Sequence, residues 1–300
     1  MDITRASINI LTATYSAAFN KGLATVPPQY QRFAMTVPSS SKENVYAWLK
    51  DMPGMREWLG DRVINQLSAD GYRIQNRNFE STVGVKVDDI EDDQYGVYAP
   101  MFQKMGENVA RHPNELVFEL LNAGFTTPCY DGQNFFDTDH PVLDENGKEQ
   151  SISNFMGGTD QAWYVACVSS AIKPLIFQER KKAQFTSLNK PDDENVFMRN
   201  EYLYGVNSRC NAGFGLWQLM VASKKPLDSD SYDEARTALT SMTKDYGGKL
   251  ALTSDVLLVP PRLEGAARRI VSAEVIGKNG VTETNIWKGT AEPVICPWLA

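Results

Sequence analysis

Asn78-Phe79-Glu80-Ser81-Thr82-Val83-Gly84-Val85-Lys86-Val87 is the stretch on which the fold turns. Phe79, Ser81, Val83, Val85 and Val87 fall on one face and Asn78, Glu80, Thr82, Gly84 and Lys86 on the other, the period-two pattern of a strand with an apolar and a polar side. The same period runs back to Arg62, and Asp70-Gly71 is a pair favoured by tight hairpin turns. The spacing predicts a long, rather polar, two-stranded arm. An isolated two-stranded unit buries too little apolar surface to be stable, so this arm must lie on something, in its own chain or another.

On the C-terminal side the period changes to that of a helix, with Tyr98, Phe102, Met105, Val109, His112, Leu116 and Leu120 at steps of three and four. Asp88, Asp89, Glu91, Asp92 and Asp93 stand at its front, where carboxylates complement the positive end of a helix dipole. Pro113 removes one backbone bond and predicts a kink or a split, and Gly124 suits the C-cap. On the N-terminal side, Ile8, Leu11, Tyr15, Ala18 and Phe19 predict a helix ending at Pro27-Pro28. Ser40 to Glu43 matches the S-x-x-E capping box ahead of Val45, Tyr46, Trp48, Leu49 and Met52, predicting a second helix stopped by Pro53-Gly54.

The second half alternates apolar, β-prone runs with helical ones. Trp163 to Val168, Leu175 to Phe177, Val196 to Val206, Leu216 to Val221 and Val256 to Val259 read as strands, and Tyr232 to Met242 and Arg262 to Val271 as helices. Ile286 to Trp298 reads as a closing strand pair around Lys288-Gly289-Thr290. The class is α+β.

At 300 residues and 42% hydrophobic content the chain can bury a sizeable core, which excludes disorder as its main state. No run approaches the roughly 18 to 20 apolar residues that span a bilayer, and Met1-Asp2-Ile3-Thr4-Arg5 lacks a secretory layout, so a soluble protein retained where it is made is expected. Cys129, Cys167, Cys210 and Cys296 have no paired spacing and read as reduced, buried thiols. A net charge of -7 disfavours a phosphate-gripping nucleic-acid binder, which needs clustered Lys and Arg. No cofactor is implied.

Chemistry, if present, would sit in Asp131-Gly132-Gln133-Asn134-Phe135-Phe136-Asp137-Thr138-Asp139-His140-Pro141. Asp137, Asp139 and His140 could gather a metal, and Cys129 with His140 could mimic a nucleophile and its base, the basis of a hydrolase alternative. The same residue types are those of turns, and this stretch is read as one. Glu179-Arg180-Lys181-Lys182 reads as a solvated loop and Gly213-Phe214-Gly215 as a close-approach strand or bend. The acidic run from Asp88 to Asp93 lacks the glycine and terminal glutamate of a calcium loop and suits a helix N-terminus or a dock for a neighbour's cations. Six tryptophans are spread through the chain, some beside the predicted arms, and aromatics are enriched at interface cores.

Several stretches in order resemble the Mu-like major head subunit family, the gpT-type capsid proteins. They are Tyr46-Ala47-Trp48-Leu49 with Met52-Pro53-Gly54-Met55-Arg56-Glu57-Trp58, Asp89-Ile90-Glu91-Asp92-Asp93-Gln94-Tyr95-Gly96, and Tyr130-Asp131-Gly132-Gln133 with Phe136-Asp137-Thr138-Asp139-His140-Pro141. Lys173-Pro174-Leu175-Ile176-Phe177-Gln178, Tyr204-Gly205-Val206 with Gly213-Phe214-Gly215-Leu216-Trp217-Gln218, and Leu258-Val259-Pro260-Pro261 complete the set.

The resemblance implies the Hong Kong 97-type fold of tailed-phage capsids. Residues 1–54 would be the N-terminal arm, 55–88 the extended β-hairpin loop lying across a neighbour, 89–149 with 276–300 the peripheral domain with its long spine helix, and 150–275 the axial domain. It implies a non-enzymatic major capsid protein of the virion, made in the bacterial cytoplasm. Such a subunit assembles with itself into pentamers and hexamers of an icosahedral shell around double-stranded DNA, without sequence-specific binding and without a membrane. Scaffold, portal and maturation protease would be partners during assembly, and an encapsulin-like compartment shell is the alternative within the same fold. Trp48, Trp58, Arg62, Arg73, Arg77, Asp89, Glu91 and Asp92 are the candidate contacts between subunits. Some relatives of this fold cross-link through a Lys–Asn isopeptide bond helped by a buried Glu. That triad does not map here, since the expected hairpin tip carries Arg73 and Arg77 but no Lys, so a noncovalent shell is expected.

Overall fold

The computed structural model describes residues 4–49, 71–92, 97–190, 192–278 and 281–299. In chain order the elements are α1 (Arg5–Thr25), β1 (Ala34–Pro38), β2 (Glu43–Tyr46), β3 (Tyr72–Gln75), β4 (Arg77–Lys86), α2 (Val87–Glu91) and α3 (Ala99–Asn122). There follow β5 (His140–Leu143), β6 (Glu149–Ile152), β7 (Phe155–Gly158), β8 (Trp163–Ala166), β9 (Leu175–Leu188), α4 (Glu194–Arg199), β10 (Glu201–Phe214) and β11 (Met220–Lys224). The chain closes with α5 (Ser229–Thr240), β12 (Val256–Val259), α6 (Glu264–Val271), β13 (Val275–Lys278), β14 (Val281–Thr284) and β15 (Glu292–Ile295).

α1 starts where Thr4 and Ser7 form a reciprocal capping box and ends before Pro27 and Pro28, which cannot continue it. Its apolar stripe, Ile8, Leu11, Tyr15 and Phe19, packs on α3, and Tyr15 stacks on Phe102 with ring centroids 4.4 Å apart. The two helices touch backbone to backbone where Gly22 meets Gly106. A Cβ on Gly106 would lie 2.1 Å from the Phe19 carbonyl oxygen, and one on Gly22 2.0 Å from that of Gln103. α3 runs unbroken through Pro113, so the expected split does not occur. The acidic run does not cap α3 either: Asp88 and Asp89 sit in the first turn of the separate, short α2.

One sheet has the order β1-β9-β10-β4 and carries α1 and α3 with it. The other has the order β15-β12-β8-β11-β7; its buried runs, including Val256, Leu257, Leu258 and Val259, form the largest core together with residues of α5 and α6. Within 150–275, β9 and β10 pair with β1 and β4 in the four-stranded sheet, while β7, β8, β11 and β12 lie in the five-stranded one. The closing segment does not pair with itself: β15 runs parallel to β12 in the five-stranded sheet, although Trp298 also stacks on Phe118 of α3.

Two expectations near the arm are corrected. Ser40 to Glu43 does not start a helix, because Ser39 and Ser41 hydroxyls bond to Asn44 Oδ1 and the Asn44 amide to the Pro38 carbonyl, local bonds that compete with helix. β2 forms instead and pairs antiparallel with β3, Tyr46 opposite Tyr72. β4 is the strand the alternation predicts, but its described partner is β10, where Val85 stands opposite Tyr202 and shares a core with Tyr204 and Val206. Part of the apolar surface it needs thus lies in its own chain. The remainder of the predicted hairpin, residues 62–70, lies outside the described residues. Gln178, fully buried in β9, ties the parts together: it accepts from the Tyr46 hydroxyl at 2.8 Å and donates to the Ile74 carbonyl at 3.0 Å.

Glu179-Arg180-Lys181-Lys182 lies inside β9 rather than in a loop, Glu179 opposite Cys210 and Lys181 opposite Arg209 of β10 across an irregular ladder, with the Glu179 carbonyl accepting from the Ser39 N–H. The first part of Val196 to Val206 is the helix α4.

Candidate assembly surfaces and a buried polar cluster

The Asp131–His140 turn closes on itself. An antiparallel bridge between Pro128 and Asn134 closes its first part, and His140 opens β5. His140 is fully buried, stacked on Trp217 at 3.9 Å between centroids. Its Nδ1 lies 2.7 Å from Asp131 Oδ2 and its Nε2 3.2 Å from Asn154 Oδ1. The Asn154 amide is oriented by its nitrogen, which donates to the Phe135 carbonyl, and by its oxygen, which accepts from the Asp137 N–H. Both ring nitrogens therefore lie against oxygens, which hold the ring between the Asp131 carboxylate and the Asn154 amide.

Burial alone would raise the Asp131 carboxyl, but hydrogen bonds from His140 and from the Cys129 thiol outweigh it and hold it below the ordinary carboxylate range. Cys129 donates to Asp131 Oδ1 at 3.1 Å, and burial followed by the Asp131 charge pushes its thiol up. The carboxylate thus stands between cysteine and histidine. A nucleophile needs the thiolate, which a cation favours and an adjacent carboxylate disfavours. Ligand atoms of Cys129, Asp131 and His140 lie within 4.8 Å of one another, but all are engaged: Asp131 Oδ1 also accepts the Gln133 N–H. A cation there would have to displace those hydrogen bonds. Asp137 and Asp139 do not converge on His140. Asp137 accepts from Asn134 and Thr138, and Asp139 from the Ser151 hydroxyl. Sequence reasoning missed two partners: Asn154, which the β5–β6 hairpin carries next to His140 two residues past its ladder partner Ile152, and Trp217, which is far along the chain; neither carries a spacing signal.

The candidate contacts fall at the two ends of β4. At its start, Arg73 pairs with Glu43 at 3.2 Å, both exposed, and the Arg77 guanidinium lies 5.2 Å from the Phe79 ring centroid. Trp48 is half-buried, edge-on to Tyr46. Beyond the far end, Asp89 accepts from the Tyr98 hydroxyl, and this bond, with burial, raises the Tyr98 pKa. Asp88 accepts from the Asn200 amide at 2.7 Å, and Asp92 is exposed. Glu91 closes α2, while Trp58 and Arg62 lie outside the described residues. Between α3 and β4 runs a groove of about 510 Å³ that includes Phe79, Val83, Met101, Met105, Val109 and His112. Among the described residues no helix is long and apolar enough to cross a membrane.

A long helix carries the two larger sheets, and the Cys129–Asp131–His140 cluster is closed in packing, the build of a structural subunit. Solved structures agree. The procapsid of bacteriophage JBD30 superposes with a TM-score of 0.86 at 44% identity over 99% of this chain and 100% of that one. The bacteriophage JBD30 capsid gives 0.78 at 31% identity, with 100% of both chains covered. The fold is thus the α+β, Hong Kong 97-type fold of phage major capsid proteins.

The major capsid protein of Escherichia phage Mu is 42% identical over the whole of both chains, and the Mu-like prophage FluMu major head subunit of Haemophilus influenzae is 39% identical over 96% of each. Residues 8–299 match the family model of the Mu-like prophage major head subunit gpT, and the chain belongs to that family. It is a major capsid protein, a component of the virion, and the compartment-shell alternative is not favoured.

Proposed function

We propose that the chain forms hexamers and pentamers of an icosahedral head that encloses double-stranded DNA, with no catalytic step of its own. The observation that carries this is the whole-length likeness to procapsid and capsid subunits. The closed Cys129–Asp131–His140 cluster supports the non-enzymatic reading, because a buried thiol beside a carboxylate is a poor nucleophile. Many modest contacts repeated around each subunit give a stable lattice by avidity.

In this reading α1, α3 and the β1-β9-β10-β4 sheet form the peripheral domain, and the five-stranded sheet with α5 and α6 the axial domain. Relative to the boundaries read from sequence, 175–214 moves to the peripheral side and 276–300 to the axial side. The β2–β3 ladder is the root of the extended loop. Arg73, Arg77, Asp89 and Asp92, with Trp48, supply subunit contacts, and Trp58, Arg62 and Glu91 complete the set. A scaffold, a portal and a maturation protease act on the growing shell. Native mass measurement and electron microscopy of the full chain, alone and co-expressed with its head-assembly partners, test the proposal. Rings or closed shells are expected; a monomer under every condition overturns it.

A further inference from the structure

β4 ends the four-stranded sheet among the described residues and offers a long outer edge. The Val87 N–H donates to the Asn200 carbonyl, in register with the β4–β10 ladder. Antiparallel strands alternate the direction of their backbone groups, so odd-numbered residues of β4 face β10 and the N–H and C=O of Asn78, Glu80, Thr82, Gly84 and Lys86 point outward. Each of those five residues is exposed. The strand spans ten residues with no proline, its charges are confined to Arg77, Glu80 and Lys86, and a long edge of this kind is a template for another strand. Beside it lies the groove with Phe79 and Val83, both half-buried, on its wall.

We propose that β4 of one subunit pairs antiparallel with β4 of a second copy across a two-fold axis through Ser81, joining their sheets. This rests on the assembly of the chain into shells and adds a specific contact to it. The occupant is argued from register and charge. Outward groups belong to even-numbered residues, so even must face even, which leaves a short set of registers. Centring on Glu80 would put two carboxylates face to face, which is destabilising. Centring on Ser81 puts Glu80 opposite Thr82 and Phe79 opposite Val83, an aromatic and β-branched pair made twice on the groove side. The same alignment carries the Arg73 and Arg77 end of each copy toward the Asp88, Asp89 and Asp92 end of the other. Main-chain bonds would supply affinity and the groove specificity, the usual division in strand addition.

The test is a Ser81→Cys variant of the full chain assembled into shells and mildly oxidised. Directly opposed, non-hydrogen-bonded residues of antiparallel strands have Cα atoms about 4.5 Å apart, within disulfide reach. A dimer band on a non-reducing denaturing gel, lost on reduction, is expected for most subunits, and the native cysteines are buried and do not compete. Glu80→Cys, which faces Thr82, should give no band. Shells in which Ser81→Cys stays monomeric, or in which Glu80→Cys links instead, overturn the pairing while leaving the shell reading intact. Should Ser81→Cys fail to assemble, wild-type hydrogen exchange decides. The Glu80, Thr82 and Gly84 amides should exchange at least about tenfold more slowly in shells than in free subunits, and unchanged rates refute the pairing. No particles from wild-type chain with its assembly partners would instead sink the reading on which the pairing rests.

Discussion

Replacing Gly106 with alanine places a methyl group 2.1 Å from the Phe19 carbonyl oxygen and 3.0 Å from the Leu23 nitrogen. Both are backbone atoms of α1, so no side chain can rotate away and the helix must retreat by roughly an ångström to reach ordinary contact distance. A gap of that size forfeits about a quarter to a half of each dispersion contact along the seam. The side chains affected most are Phe19 and Tyr15, both fully buried, each worth about 1.5–3 kcal/mol when buried. The expected loss is then about 1–3 kcal/mol, against about 1 kcal/mol gained because alanine is the better helix former. The net effect is a destabilisation of about 0–2 kcal/mol, read as a lower urea midpoint of the free subunit. Gly22→Ala should do the same, and the double variant should cost less than the sum, because one retreat accommodates both methyls. Gly265→Ala in α6 is the control: a Cβ there meets nothing within 4 Å, and a gain of about 0.5–1 kcal/mol is expected. If Gly106→Ala gains as much stability as Gly265→Ala, the close helix seam is wrong.

Acid unfolding should report Asp131. Its folded pKa lies below the unfolded value, so its stabilisation is complete above the ordinary carboxylate range and is lost as pH falls through the depressed folded pKa; Asp131→Asn should be less stable near neutral pH with a shallower acid limb, and an unchanged acid limb counts against the hydrogen-bonded carboxylate. Native subunits at mildly alkaline pH should resist thiol alkylation, since all four cysteines are buried and burial pushes Cys210 up to about 11 and raises Cys129 further; mass spectrometry should find labelling only after denaturation, and rapid labelling of Cys129 would revive a reactive role. Assembled particles dissolved in denaturant should run as single chains of 33.5 kDa, and covalent ladders would show that the shell is cross-linked.

The sequence was most legible where pattern and burial agree. The α3 stripe, the alternation of β4 and the four-residue apolar run of β12 each carry their own period, and each forms the expected element. Legibility failed where a local signal has two physical outcomes. Ser and Asn near residue 40 can cap a helix or bond to nearby backbone, and pairing with β3, remote in sequence, decides for the strand. The charges of β9 look like a loop because a long two-stranded ladder needs no apolar side chains to satisfy its backbone. The polar cluster was half visible: the turn was read correctly from its Asp, Gly, Asn and Pro residues, whereas Asn154 reaches His140 through the β5–β6 hairpin and Trp217 only through the tertiary fold.

Charge gives β4 a direction that composition alone conceals. Its ten residues span about 33 Å at the usual rise of a strand, more than three screening lengths at about 0.1 M salt. The arginines at its start therefore do not neutralise the carboxylates beyond its end within one subunit. The Arg73–Glu43 pair is exposed, and pairs of that kind contribute at most about 1 kcal/mol, so it leaves the arginine free to exchange partners. A chain of net charge -7 repels its copies wherever like charges meet, so a stable contact must set opposite ends together. Antiparallel apposition of β4 does this and parallel apposition does not, since the latter brings Arg73 and Arg77 against their own copies. The same arithmetic explains how an acidic subunit can close on itself: the repulsion is spread over the surface and screened, whereas the attraction is held at contact, where screening is weakest.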